Sequence, residues 1–386
     1  MKRIVVILVL LTVFFAACSK EQQKEEDLVL RQESFAELEA WDDDDALGAY
    51  NAFLKSCDKI AQRKGEFLSD SAAVKINRND YLTVCAKARD VMPANFKKFV
   101  EDNFVPYAVV YNGEDEGRFT SYYEAEIHGA YVRDETYKYP IYGRPYDLVE
   151  VNLRDFDAAL PAKQIVGRVV DGKLQPYFDR AEITQNGVNA PVVMWADDEV
   201  DVYIMQIQGS AVAIQPDGGK VRIAYAASNG RPFKGIGSIL LGKGLLSPSQ
   251  VSMKSIKQWL KENPGLARAN MDENQRYIFH KLGNQDGPTG ALGVPLTAGR
   301  SMAVDVDYIP LGALLWVETF AYDGAPLNKL VVAQDVGSAI KGAVRGDYFY
   351  GSGGDDILEK AGKMNSKGRY FVLLPKTEEN KDGAAR

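Results

Sequence analysis

The chain has 386 residues, 46% of them hydrophobic, a formal net charge of −7 and three cysteines. That length and apolar content allow one large domain or two ordinary ones around a sizeable core. The acidic balance argues against nucleic acid as a partner, because phosphate binding needs a basic footprint.

The first element in chain order is a targeting segment. Lys2 and Arg3 precede an apolar run over residues 4–15, short for a bilayer span. Ala16-Ala17-Cys18 then places small residues ahead of a cysteine. This is the pattern of a bacterial lipoprotein signal over residues 1–17, with Cys18 as the acylated N-terminus. Phe15 stands where an aliphatic residue is usual. An ordinary signal peptide or an uncleaved anchor are the alternatives. Acyl chains anchor through about 0.8 kcal/mol per buried methylene. Ser19 follows the cysteine, where Asp would argue for inner-membrane retention, so the expected place is the outer membrane, facing the periplasm. Residues 19–30 are polar and acidic without apolar period, and 18–45 as a whole is expected to be the acylated cysteine and a flexible tether.

Leu47, Tyr50, Phe53, Leu54, Cys57, Ile60 and Ala61 recur at helical spacing. The acidic run Asp42 to Asp45 before them suits a helix N-terminus. Tyr81, Val84, Cys85 and Ala88 mark a second helix; Phe96, Phe99, Val100 and Phe104 mark a third. Cys57 and Cys85 each sit on an apolar helical face. The exported context favours a disulfide between them, with two reduced buried cysteines as the alternative. From residue 122 to 227, short β-branched and aromatic runs alternate with turn residues, including Asp171-Gly172 and Asp217-Gly218. Ser247-Pro-Ser-Gln250 reads as a capping box that opens a helix, with Ile256, Trp259 and Leu260 on its apolar face. Strands return after Asn284, Asp355 is expected to cap a short helix through Ala361, and residues 370–374 form a last buried strand. Pattern alone therefore gives a mixed α and β fold dominated by strands. His128 and His280 are far apart and read as surface or packing residues, so no metal site is expected. Gly351-Ser-Gly-Gly354 lacks the Gly-Lys-Ser/Thr of a phosphate loop.

The most informative stretch lies near the C-terminus. Asp305, Asp335 and Asp347 sit among apolar runs and glycines, not on a charged face. Residues 330–333 read as a buried strand, Asp335 follows directly, and Gly337 breaks the run. A carboxylate there is costly unless it has partners or a function, and nearby glycines allow close approach of a ligand. The segments Ser301-Met-Ala-Val-Asp305, Ile309-Pro-Leu-Gly312, Ala333-Gln-Asp335-Val-Gly337, Ala339-Ile-Lys-Gly342, Arg345-Gly-Asp347 and Tyr350-Gly351 resemble the aspartate-rich catalytic region of the membrane-bound lytic murein transglycosylase A family. So do Phe119-Thr-Ser-Tyr-Tyr-Glu124, Tyr139-Pro-Ile-Tyr142, Pro176-Tyr-Phe-Asp-Arg-Ala-Glu182, Gln206-Ile-Gln-Gly-Ser210, residues 225–230 and Gly287-Pro-Thr-Gly-Ala-Leu-Gly293, all in family order.

The resemblance implies a double-psi β-barrel domain with N-terminal helices, built from residues 46–124 and 245–376. It implies a smaller β domain inserted at 125–244, with a substrate groove between the two and a polar tail at 377–386. The implied substrate is the glycan strand of peptidoglycan, and neither cofactor nor metal is implied. Lytic transglycosylases use no water: the muramyl C6 hydroxyl attacks C1 of its own sugar, and one carboxyl group donates and then accepts a proton. By resemblance Asp335 is that group, Asp347 and Asp305 are supporting carboxylates, and Thr120, Tyr122, Gln206, Gln208, Ser210 and Lys341 contact substrate. Ser121 and Ala125 replace the family's usual Gly and Pro. Membrane attachment through Cys18 and recruitment into cell-wall enzyme complexes are the implied associations. Two other readings stay open: a glycan hydrolase with a second carboxylate among Glu124, Glu126 and Asp347, and a non-catalytic glycan-binding lipoprotein.

Overall fold

The computed structural model describes residues 28–380 apart from 162, 284, 285 and 379; the signal at 1–17 and Cys18 lie outside the described residues. The fold is strand-dominated mixed α+β. It opens with β1 (Leu28–Gln32), α1 (Leu47–Ala61), α2 (Arg78–Ala88), α3 (Phe96–Asn103), β2 (Phe104–Tyr111) and the long β3 (Gly117–Ala130). Then come β4 (Tyr139–Tyr142), β5 (Val149–Asn152), β6 (Gln164–Val170), β7 (Lys173–Pro176), α4 (Arg180–Asn186), β8 (Val192–Ala196), α5 (Glu199–Gln208), β9 (Ala211–Ile214) and β10 (Lys220–Ser228). Helices α6 (Ile236–Gly242), α7 (Met253–Glu262) and α8 (Pro264–Asp272) precede β11 (Ile278–Leu282). Last are β12 (Ser301–Val304), β13 (Leu314–Phe320), β14 (Pro326–Asp335), β15 (Arg345–Gly353), α9 (Asp355–Ala361) and β16 (Asn365–Pro375).

Continuous apolar runs build the centre. Leu314 to Val317, Leu330 to Ala333 and Tyr370 to Leu373 are buried without alternation, as expected for strands covered on both faces. Each fully buried Val or Leu side chain contributes about 1.5–3 kcal/mol. Strands β16, β13, β14, β12, β15 and β3 pair in that order, and β3 also pairs with β16, which closes a ring. The β12–β14 and β15–β3 pairs are parallel. Strand β3 serves two sheets in turn. Arg118 to Tyr122 lie beside β15, and Ala125 to His128 continue parallel to β9.

Helices α1 and α2 cover the ring and are joined by Cys57–Cys85 (Cα–Cα 5.7 Å). The Tyr81 hydroxyl donates to Gly312 O at 2.6 Å. Gln334, at the end of β14, donates from Nε2 to Ala52 O (2.9 Å) and Ser56 Oγ (2.8 Å) on α1.

Several expectations are corrected. The tether does not extend to residue 45: β1 pairs with β2, and Leu38 and Trp41 are buried. Leu28 and Leu30 share one face of β1 and pack on the core, which fixes the strand. The acidic run is mostly not a cap, since only Asp45 reaches a helix amide, Leu47 N at 3.0 Å. Asp44 is instead buried against Arg300 in two bonds of 2.6 and 2.7 Å and accepts from Leu330 N at 2.9 Å. Phe104 starts a strand and does not continue the third helix. Helix α5 was hidden because Glu-Val-Asp-Val-Tyr-Ile alternates like a strand. The Asp198 side chain caps Val200 N and Asp201 N, and Gly209 closes the helix at φ 93°, so capping and burial override the pattern. The helix expected from Ser247 starts later: residues 248–250 form a 3-10 turn, and Ser252 with Ser255 supplies the capping box for α7. Finally, α7 and α8 share a core with α5 and α6 through Val200, Tyr203, Ile204, Ile239, Ile256, Leu260 and Met271. A boundary at 244 cuts through that core.

Breaking a buried ion pair leaves its partner charged and unsolvated. Asp44→Ala is therefore expected to lose about 3–5 kcal/mol in urea denaturation. The exposed Asp43→Ala should change little.

Candidate active site

The ring brings the site together through register. Ala303 on β12 pairs with Asp335 of β14 on one side and with Asp347 of β15 on the other. Asp347 in turn pairs with Thr120 of β3. Two strand spacings separate the backbones of the two aspartates, roughly 10 Å. The small Ala303 side chain between them leaves the space open. These residues form one wall of a cleft of about 920 Å³. The end of α5 (Gln206 to Ser210), β10 (Ala224 to Ala226) and β11 (Ile278, Lys281, Leu282) form the other.

Asp335 is half-buried, with both oxygens held. Oδ2 accepts from the Tyr122 hydroxyl at 2.8 Å, and Oδ1 accepts from Ala291 N at 2.9 Å. Burial pushes its carboxyl above the usual range; the bonds from Tyr122 and Ala291 oppose that shift without cancelling it. Tyr122 is itself raised well above a normal phenol by burial and by Asp335, so it stays a donor. The loop carrying Ala291 lies against β14: Leu292 N donates to Gln334 O at 3.0 Å. A Cβ at Gly290 would stand 2.4 Å from that same oxygen, so only glycine fits there.

Asp347 accepts a short hydrogen bond from the Thr120 hydroxyl. That hydroxyl accepts in turn from Arg345 Nη2 at 2.7 Å. Burial raises the Asp347 carboxyl to about 6, against the pull of Thr120 and Arg345, and the nearby Asp335 raises it further. Arg345 is buried, and its guanidinium is also engaged by the carbonyls of Arg118 and Gly346.

Of the residues expected to act, the cleft holds Asp335, Asp347, Thr120, Tyr122, Gln206, Gln208 and Ser210. Tyr122, expected to contact substrate, lines the cleft and donates to Asp335. The two glutamines are partly engaged: Gln206 Oε1 accepts from the buried Arg180 at 2.5 Å, and Gln208 Oε1 accepts from Tyr123 N at 3.2 Å. Gln206 also donates to the Tyr277 hydroxyl, which leaves Gln208 with its amide donors facing the cleft. Lys341 and Asp305 do not line the cleft. Lys341 Nζ bonds Asp305 at 2.8 Å, and Asp305 also accepts from Gly342 N at 2.8 Å, so the buried Asp305 pins the loop that follows Asp335. Glu124 is buried in a two-bond contact with Arg222 (2.8 and 3.0 Å) and accepts from Ser352 at 2.5 Å. Glu126 sits outside the cleft lining, near Lys220. The sequence reading missed Arg345, Ala303 and the Ala291 amide. Arg345 had a signal, a cation two residues before a half-buried aspartate; the amide had only the run of glycines around it.

A carboxyl group raised above its usual range by burial, bound by two fixed donors and set in a cleft, is an arrangement suited to an enzyme that uses general acid catalysis. Residues 118–281 match the family model described as the MltA specific insert domain, and residues 300–374 match the 3D domain. MltA from Neisseria gonorrhoeae, as a crystal structure, superposes with a TM-score of 0.76 at 34% identity, over 90% of this chain and 93% of that one. A membrane-bound lytic murein transglycosylase from Agrobacterium tumefaciens gives 0.79 at 30% identity, over 90% and 97%. The curated membrane-bound lytic murein transglycosylase A of Escherichia coli is 29% identical over 265 residues, 66% of this chain and 65% of that protein's length. The chain belongs to the membrane-bound lytic murein transglycosylase A family.

Two outcomes follow from the bonds on the carboxylates. Tyr122→Phe removes a donor that favours ionised Asp335, so the alkaline limb of the rate against pH should move up while the maximal rate falls about 10- to 100-fold. Murein clearance measured across pH checks both. Because folded Asp347 holds its proton to about pH 6, the unfolded chain releases protons first between pH 4 and 6, and stability falls as pH rises through that window. Asp347→Asn should flatten this slope in denaturation midpoints taken from pH 4 to 7.

Proposed function

We propose that the protein is a lytic transglycosylase of peptidoglycan, cutting the β-1,4 bond between N-acetylmuramic acid and N-acetylglucosamine and leaving 1,6-anhydromuramyl ends. The observation that carries this is Asp335: a carboxyl whose proton affinity is raised by burial, at a strand end, anchored on both oxygens, in a cleft of about 920 Å³. Asp335 gives its proton to the glycosidic oxygen as the C1–O bond breaks. Its new carboxylate is stabilised where it stands by the Tyr122 hydroxyl and the Ala291 amide. The C6 hydroxyl of the same sugar then attacks C1 and passes its proton to Asp335, which restores the acid. Intramolecular attack supplies the proximity that water lacks. Asp347, fixed by Thr120, receives sugar hydroxyls. Gln206, Gln208 and Ser210 hold hydroxyl and N-acetyl groups across the cleft.

The engagement of Glu124 with Arg222 disfavours a hydrolase built on that residue, because a general base needs a free oxygen facing water. We further infer that the six-strand ring is a double-psi β-barrel. The second unit is inserted into it, with its C-terminal limit beyond α8, not at 244. No helix among the described residues is long and apolar enough to cross a membrane. The relatives are named membrane-bound, which supports attachment through an acylated Cys18 at the periplasmic face of the outer membrane, where an anchor would hold the enzyme against the murein sheet.

Product analysis by mass spectrometry tests the reading, with purified murein and the wild type beside Asp335→Asn. The expected result is anhydromuramyl ends from the wild type and a rate at least 10²-fold lower from Asp335→Asn. Reducing muramic ends would mean that water attacks and would overturn the proposal.

A further inference from the structure

The cleft carries two kinds of charge on separate walls. Asp335 and Asp347 lie on the ring wall, and Arg276 and Lys281 lie on the wall made by β11 and the segment before it. Among the described residues neither Arg276 nor Lys281 forms an ion pair. Arg276 donates from Nε to Arg231 O at 3.0 Å, which orients the guanidinium and leaves its terminal nitrogens for a ligand. Lys281 is exposed, stands opposite Ala224 in the β10–β11 register, and projects from a rim that also holds Tyr225, itself half-exposed, and Phe233. Arg345, by contrast, is committed to Thr120 and to two carbonyls.

Two cations without ion pairs on one wall of a cleft can receive an anionic group of the substrate. The sugar backbone of murein is uncharged and gives none. Its anions are carboxylates on the peptide stems, which leave the glycan from the lactyl ether of the muramic acid and so hang at the edge of any groove that holds the strand. A guanidinium fork and a mobile ammonium suit a carboxylate.

We propose that Arg276 and Lys281 form an anion subsite for a stem-peptide carboxylate, so that the enzyme discriminates peptide-bearing strands from bare glycan. This rests on the functional reading above. The aromatic rim at Tyr225 and Phe233 borders the sugar path, and the cations take the substituent. The contact is electrostatic and partly exposed, so it weakens as salt rises.

The test compares kcat/KM for the wild type and Lys281→Glu on three soluble substrates: peptide-bearing strands, strands stripped of peptide by an amidase with the freed lactyl carboxylates then amidated, and peptide-bearing strands with amidated carboxylates. The wild type should favour the first substrate by about tenfold over the other two, the effect of losing one charge-assisted contact. Lys281→Glu should erase that preference, with a larger loss on peptide-bearing strands than on bare ones. The amidated substrate reports on unaltered protein, so a folding defect in the variant cannot mask the result. Equal wild-type rates on all three substrates, or an equal loss on all three in Lys281→Glu, would overturn the subsite and leave the transglycosylase reading intact. Anhydro products from none of them would overturn that reading as well.

Discussion

One carboxyl group kept partly out of water at the end of a strand buried on both faces sets the terms for the rest of the molecule. Asp335 sits where Leu330 to Gln334 have just run through the core, so burial raises its proton affinity. A buried acid alone would be a liability. Here two donors meet its two oxygens, and each is fixed from elsewhere. Tyr122 is held by the β3–β15 pairing and by its ring against Phe349 (centroids 5.2 Å apart). The Ala291 amide is held by the glycine loop against Gln334 O. The balance is a carboxyl that can release its proton and is stabilised when it does.

The N-terminal helices belong to the same arrangement, although none of their residues lines the cleft. Gln334 is fully buried and satisfied on both ends of its amide: it donates to Ala52 and Ser56 of α1 and accepts from Ser301 at 2.5 Å. The residue before the acid is thereby bolted to a helix, and α1 is joined to α2 by Cys57–Cys85. Arg300, next to Ser301, holds Asp44 on the other side of the same strand pair. The ring is thus stiffened where the chemistry needs a fixed carboxyl. The opposite wall of the cleft comes from α5, β10 and β11, and β3 runs through both parts as a common beam.

The fold and site were legible in the sequence to different depths. The strand under Asp335 was readable because Leu-Val-Val-Ala is an uninterrupted apolar run that ends at an acid. Helices α1 and α2 were readable from the spacing of Phe53, Cys57, Ile60, Tyr81 and Cys85. Helix α5 was not, because its alternation imitates a strand and only tertiary burial decides the matter. Asp44 was misread because a run of four acids looks solvated, and nothing local reveals an arginine 256 residues away. Lys341 carried a motif, but its bond to Asp305, 36 residues away, is one that no local pattern reveals. The pairing of Asp335 with Asp347 across Ala303 depends on strand order in the ring, which no local pattern encodes.

The central claim is that Asp335 still holds its proton where a free aspartate has lost it. Carbon-13 NMR titration of aspartate carboxyls, with the resonance assigned by its loss in Asp335→Asn and distinguished from Asp347 by Asp347→Asn, measures this directly. The account predicts that Asp335 titrates clearly above the free value of about 3.9. Titration at or below that value would mean that Tyr122 and Ala291 outweigh burial, and Asp335 could not then be the proton donor.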